Sequence, residues 1–314
     1  LTALQNENGE QYQFEWGADS LLLAQVGLDG VATRYDYDAA GRTVSRTFAA
    51  GHPQSITHRY NWSRAGQLLA RTTPEGQTRY HYSGGGQLSK VSQHLPLSDT
   101  EWSQQAEQEI AFTYDALGRI VGEQGEQGAL AWDYDALGNC TALTLPDGRN
   151  LKQLYYGSGH LLSIALDNLL VTEFTRDTLH RELSRTQGGL TTRSEYDRLG
   201  RLRRRDVFKG EAQRPAPRVW SRRRDFDYGN NLIREERDDN PFSQTLWHYD
   251  NAGRLLSQEG AQPGNEQWRW DGAGNPLDRH AASHIMHNRV TELNGIRWQY
   301  DIHGRTTEKD DGQT

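Results

Sequence analysis

An aromatic residue, an Asp, two variable residues, a Gly and a polar residue are followed by an apolar one. This order of apolar and polar positions returns along the whole chain about every twenty residues. The clearest copies are Tyr37, Asp38, Gly41, Arg42; Tyr114, Asp115, Gly118, Arg119; and Tyr134, Asp135, Gly138, with Asn139 in the last place. Three more are Tyr196, Asp197, Gly200, Arg201; Tyr249, Asp250, Gly253, Arg254; and Tyr300, Asp301, Gly304, Arg305. Looser copies begin at Trp16, Trp62, Tyr82, Tyr155, Arg176, Phe226 and Trp270, making thirteen in all.

Each copy predicts the tip of a β-hairpin. A large ring packs well at the end of a pleated strand, and the Asp after it can accept a hydrogen bond from backbone two residues on, opening a turn. The Gly supplies the left-handed residue that closes a hairpin loop. Leu68, Leu88, Ile120, Leu202 and Leu255 then begin the return strands. Second turn signals lie between copies, at Leu28-Asp29-Gly30, Thr73-Pro74-Glu75-Gly76 and Leu145-Pro146-Asp147-Gly148. Two turns per unit mean two strands per unit, so thirteen units predict roughly 26 strands in one array over residues 1–314. Three longer intervals carry insertions. Leu95 to Gln108 reads as a loop or lengthened hairpin, and His280 to Gly295 as a degenerate extra hairpin. In Lys209 to Pro217, Pro215 and Pro217 exclude a central strand.

An open sheet of this many strands must curl, and a barrel this wide cannot be filled by side chains. Composition agrees: apolar residues are 34%, yet Trp (9) and Tyr (14) are plentiful, and mean hydropathy is −0.89. The aromatics argue for a folded chain with a thin core. The expectation is an all-β meander of hairpins forming a hollow, curved wall. No apolar run approaches the length of a membrane span. Leu1 starts in mid-pattern without a signal-peptide leader, and Met286 is the one Met, which reads as a piece of a longer polypeptide. A lone Cys140 excludes an internal disulfide and a multi-cysteine metal site; it is expected as a small buried residue starting a return strand.

Tyr-Asp-x-x-Gly-Arg at this spacing resembles the Rhs/YD-repeat family, which includes bacterial polymorphic toxins, shell components of insecticidal toxin complexes and the animal teneurins. Asn288-Arg289-Val290-Thr291 through Gly295 to Trp298-Gln299-Tyr300-Asp301 resembles the family's late-core pattern. The resemblance implies a β-sheet wound into a cocoon that encloses a C-terminal toxin domain until delivery, in some members by type VI secretion. The implied partners are the remainder of the shell and that toxin domain, with a secretion spike or chaperone as further candidates. The implied localisation is synthesis in the bacterial cytoplasm followed by export. The family's Asp-Pro-x-Gly-Leu segment has no match, since no Asp-Pro occurs, so self-cleavage is not assigned to any residue. An extracellular adhesion or glycan-binding module, as on the teneurin side, is the alternative.

The residues suggest no enzyme, cofactor or metal site. His280, His284 and His287 lack a His-Glu-x-x-His arrangement, and on strand or turn His287 points away from the other two. Gly157-Ser158-Gly159-His160 fills a repeat turn and lacks the outer spacing of a nucleophile elbow. Ser83-Gly84-Gly85-Gly86 fills another and lacks the ending of a phosphate loop. Adjacent acids at Glu235-Glu236, Asp238-Asp239 and Asp310-Asp311 point to opposite faces of a strand. Charge is uneven: Arg193 to Arg224, counting Lys209, Glu195, Asp197, Asp206 and Glu211, balances at +8 and leaves −15 for the remainder. Arg201, Arg203 and Arg205 are expected on one strand face. There they would grip an acidic cargo, an adjoining acidic strand such as Glu235 to Asp239, or nucleic acid. The acidic overall charge disfavours nucleic acid, and an internal cross-strand salt-bridge ladder is the favoured reading.

Overall fold

The computed structural model describes residues 1–98, 100–157, 159–210, 217–238, 244–260, 264–278 and 283–312. These hold thirty strands and no helix. The number exceeds the expected one partly because an additional hairpin, His284–Met286 with Arg289–Leu293, is inserted before the last repeat. Expectations resting on Ser158, Glu211, Pro215, Asp239 and His280 lie outside the described residues.

The chain gathers into two compact units, Leu1–Phe112 with Trp268–Thr314, and Thr113–Gln267. In the first, antiparallel neighbours run from Ala3–Gln5 and Gln11–Trp16 onward to Leu88–His94 and Gln108–Tyr114. The described residues between Leu95 and Glu107 form a lengthened hairpin loop closed by a Pro96–Trp102 bridge. Within this unit the C-terminal hairpins return to the first turns of the chain. Asp271 accepts Asn8 Nδ2 at 2.7 Å, Glu10 accepts the His287 N–H at 2.8 Å, and Arg289 pairs with Asp29 at 2.7 Å. In the second unit the same meander runs from Ile120–Gly125 to Glu266–Gln267, each strand antiparallel to the next.

One irregularity recurs at the repeat motif. Tyr37 pairs with Thr43 but Asp36 pairs with Ser45, so Val44 is an extra residue on the return strand. The same shift occurs at Trp16, Trp62, Tyr82, Tyr134, Tyr155, Arg176, Tyr196, Phe226, Tyr249 and Tyr300. Such a bulge raises local twist and changes which face later side chains occupy. The buried apolar side chains among the described residues are Ala24, Ala49, Phe174 and Val207. With so little buried hydrocarbon, polar contacts between repeats take on an unusual share of the cohesion.

Candidate functional site

The repeat turn is the most regular chemical arrangement in the chain. In the turn of residues 115–119, Asp115 Oδ1 accepts the N–H groups of Leu117 and Arg119, each at 2.9 Å. Asp115 Oδ2 takes Arg119 Nε at 2.6 Å. Gly118 sits at φ 81°, a region that costs any residue with a Cβ. The backbone hydrogen bond from Arg119, followed by its guanidinium, holds the Asp115 carboxyl below the usual carboxylate range. At Asp38 the Arg42 guanidinium is the leading cause of the same shift.

The motif Arg also reaches the next repeat. Arg119 Nη1 donates to Asp135 O at 3.2 Å, and its guanidinium lies 4.6 Å from the Tyr134 ring centre. Arg42 donates to Ser63 O at 2.7 Å. Arg201 donates to Asp227 O at 2.9 Å and covers Phe226 at 4.9 Å. Cation–π attraction and a charged hydrogen bond therefore act together between successive tips.

The motif aromatic reaches the other way. Tyr134 Oη donates to Ile120 O at 2.8 Å, Tyr196 Oη to Glu182 O at 3.0 Å and Tyr249 Oη to Leu232 O at 2.8 Å. Trp62 uses its indole N–H on Thr43 O at 2.8 Å. These carbonyls lie beyond the last paired residue of the ladder leading to the next hairpin: that ladder ends at Gly122 with Ala131, and at Ser184 with Arg193. A backbone acceptor left unpaired there is costly, and the aromatic of the following repeat satisfies it. The contact joins residues 14 apart at Tyr82, Tyr134 and Tyr196.

The arginine-rich segment is arranged differently from the expected stripe. Arg201 belongs to its turn, with Nε 2.6 Å from Asp197. Arg203 is exposed and is the extra residue of the bulge between Leu202 and Arg204. Arg205 alone of the three lies within the paired ladder, opposite Ser194 on one side and Arg222 on the other. The bulge breaks simple alternation, so the three do not form one row. The adjoining acidic strand does engage arginines: Arg224 Nε is 2.9 Å from its register partner Glu235, and Arg218 is 2.6 Å from Asp238.

A family model described as RHS Repeat matches residues 62–97 and 114–149. The chain is 34% identical to "Double-stranded DNA deaminase toxin A" of Burkholderia cenocepacia (strain H111), over 98% of this chain and 22% of that protein. It is 30% identical to "Toxin protein Tse5" of Pseudomonas aeruginosa, over 77% of this chain and 16% of that protein. The chain belongs to the Rhs/YD-repeat family. It spans about a fifth of the length of these curated relatives. The Rhs fold is also matched by the crystal structure of TcdB2-TccC3, with TM-score 0.62 over 98% of this chain and 19% of that one, at 14% identity. That likeness shows the fold alone.

Other candidates take ordinary places in the Rhs array. His284 lies on a short strand and His287 in the turn that follows it. His160 begins the strand after its turn and stacks on His180, ring centres 3.6 Å apart. Glu235 and Glu236 face opposite ways, Glu235 toward Arg224 and Glu236 opposite Arg223. Cys140 starts a return strand, but it is half-buried rather than buried, because neighbouring hairpins leave that first position partly open. The bonds between repeats were missed at the sequence level. The interval of 14 residues from the first residue of one return strand to the next aromatic, repeated at Tyr82, Tyr134 and Tyr196, was the signal that could have found them.

Proposed function

We propose that this chain is a non-catalytic wall segment of an Rhs-type toxin, and that the complete wall encloses a C-terminal toxin domain before delivery between bacteria. The observation that carries this reading is the two-way linkage of the turns. Motif aromatics cap carbonyls of the repeat behind, and motif arginines bond carbonyls of the repeat ahead, so the hairpins form a continuous fabric with little apolar core. Such a fabric serves as a barrier, and the relatives named as toxins supply a reason for one. In this reading the chain is one continuous array, the motif residues set hairpin geometry and linkage, and any self-cleavage or toxic chemistry resides elsewhere in the polypeptide. Glycan binding is less well supported, because the motif rings are engaged: Tyr134 lies under Arg119 and its hydroxyl is bonded.

The test is an electron-microscopy reconstruction of the uncut parent polypeptide. Extra density enclosed by a closed wall is the expected result. A wall without enclosed density, in a parent that retains glycans on an array, would replace this reading with the adhesive one.

A further inference from the structure

Three neighbouring strands, Leu202–Lys209, Arg218–Phe226 and Leu232–Arg237, treat charge differently on their two faces. On one face the register sets Glu195 beside Arg204, Arg193 beside Asp206, Arg223 beside Glu236 and Asp225 beside Arg234. Four carboxylates there match four arginines, and the like-charge pair on this face, Arg204 opposite Arg223, is flanked by Glu195 and Glu236. On the other face Arg205 stands directly opposite Arg222, and Arg222 directly opposite Arg237. Among the described residues of these three strands, Glu235 is the one carboxylate in register on that face, and it serves both Arg224 at 2.9 Å and Arg222 at 3.3 Å.

Like charges placed directly across a ladder are destabilising, and here Glu235 is shared between Arg222 and Arg224. Arg205 Nε is withdrawn from solvent and has no hydrogen-bond partner. Arg222 Nε is near Glu235 but lacks the alignment of a hydrogen bond. Beside this row, on the same face, Val207 pairs with Trp220, and Val207 is buried. The surface therefore presents forked cation donors next to the half-exposed ring of Trp220.

We propose that Arg205, Arg222 and Arg224 form a docking site for a short acidic polypeptide segment. Its carboxylates would lie across the guanidinium groups and an apolar side chain would rest against Trp220. Planar guanidinium forks suit carboxylates. A polypeptide fits better than a nucleic acid. Nucleic-acid affinity comes from many phosphate contacts along an extended basic surface, whereas this patch is a few arginines wide in a chain of net charge −7. As to where the segment comes from, the inference rests on the encapsulation reading, under which it belongs to the enclosed domain.

The probe is a fluorescein-labelled peptide of Glu with interspersed Leu, titrated into the 314-residue chain and followed by anisotropy. A matched Lys/Leu peptide and a single-stranded DNA oligonucleotide are the controls. The expected result is binding of the Glu/Leu peptide alone, weakened roughly tenfold or more by combined Arg205→Gln and Arg222→Gln. Arg204→Gln with Arg223→Gln, on the opposite face, should leave it unchanged. No peptide binding, equal loss in both double variants, or tighter binding of the oligonucleotide would overturn the site. Because the variants bear on folding as well, melting at low salt supplies a second reading. Arg205→Gln should raise Tm by relieving the like-charge pair, and a fall in Tm would remove the premise. Enclosed density in the parent together with no peptide binding would cost the arginine site alone; peptide binding without enclosed density would cost the wall.

Discussion

The turns of residues 115–119 and 135–139 differ at their last position, Arg in one and Asn in the other. Locally they are nearly the same. Asp135 Oδ1 accepts Leu137 and Asn139 N–H at 2.9 Å, and Asn139 Nδ2 reaches Asp135 Oδ2 at 2.8 Å, matching the Arg119 arrangement. The difference lies beyond the turn. Arg119 continues to Asp135 O and the Tyr134 ring, whereas Asn139 lays its side-chain oxygen against Gly159 of the next turn. Closing a hairpin and joining it to the next are therefore separable tasks, and the Asp–Gly pair accomplishes the first without help from Arg.

The largest test of that separation is acid. The carboxyls of Asp115 and Asp135 are both held below the usual range, the first chiefly by the Arg119 backbone hydrogen bond and the second by the Asn139 side chain. A carboxyl whose folded pKa lies below its unfolded value stabilises the fold above about 3.9, and that contribution fades as pH falls through the folded values. Repeated over many turns, this predicts a steep fall in Tm as pH drops below about 4. Asp115→Asn and Asp135→Asn should flatten the profile by similar amounts. If only the Arg-closed turn responded, local closure would depend on the ion pair after all.

A smaller loss is expected from Gly118→Val, about 2 kcal/mol, because a β-branched residue must adopt the left-handed conformation there. Denaturant melts should show it, and an unchanged midpoint would mean the turn refolds into another type. Tyr134→Phe leaves both clamps intact and removes the bond to Ile120 O, for about 1 kcal/mol. Smallest is Arg119→Asn, which converts the first turn into the second and should cost about 0.5 kcal/mol. That loss should shrink at high salt. A drop as large as that of Gly118→Val would show that Arg is needed to close the turn.

Much of the architecture was readable in order and spacing. The aromatic, Asp and Gly located the tips, the apolar starters located the return strands, and the late insertion was recognisable as a hairpin. The fate of Arg201, Arg203 and Arg205 was not. A bulge at eleven of the thirteen motifs adds one residue to one strand, so the face of later side chains depends on a backbone irregularity that no side chain announces. The bond from Tyr134 to Ile120 was hidden for another reason: it satisfies a carbonyl, and carbonyls are the same at every position. The unbalanced row at Arg205 and Arg222 follows from bulges and register together, and local charge counting shows only that a surplus exists.

Since a tip depends on one neighbour behind and one ahead, the array carries no inherent length. A tandem duplication of 20 or 21 codons, the commonest interval between motifs here, would insert a hairpin pair whose hydroxyl meets an acceptor and whose guanidinium meets the next tip. Existing contacts would keep their geometry, as nearest-neighbour repeat energetics allow. The extent of the array is then a matter of copy number, which duplication or loss of whole repeats would change.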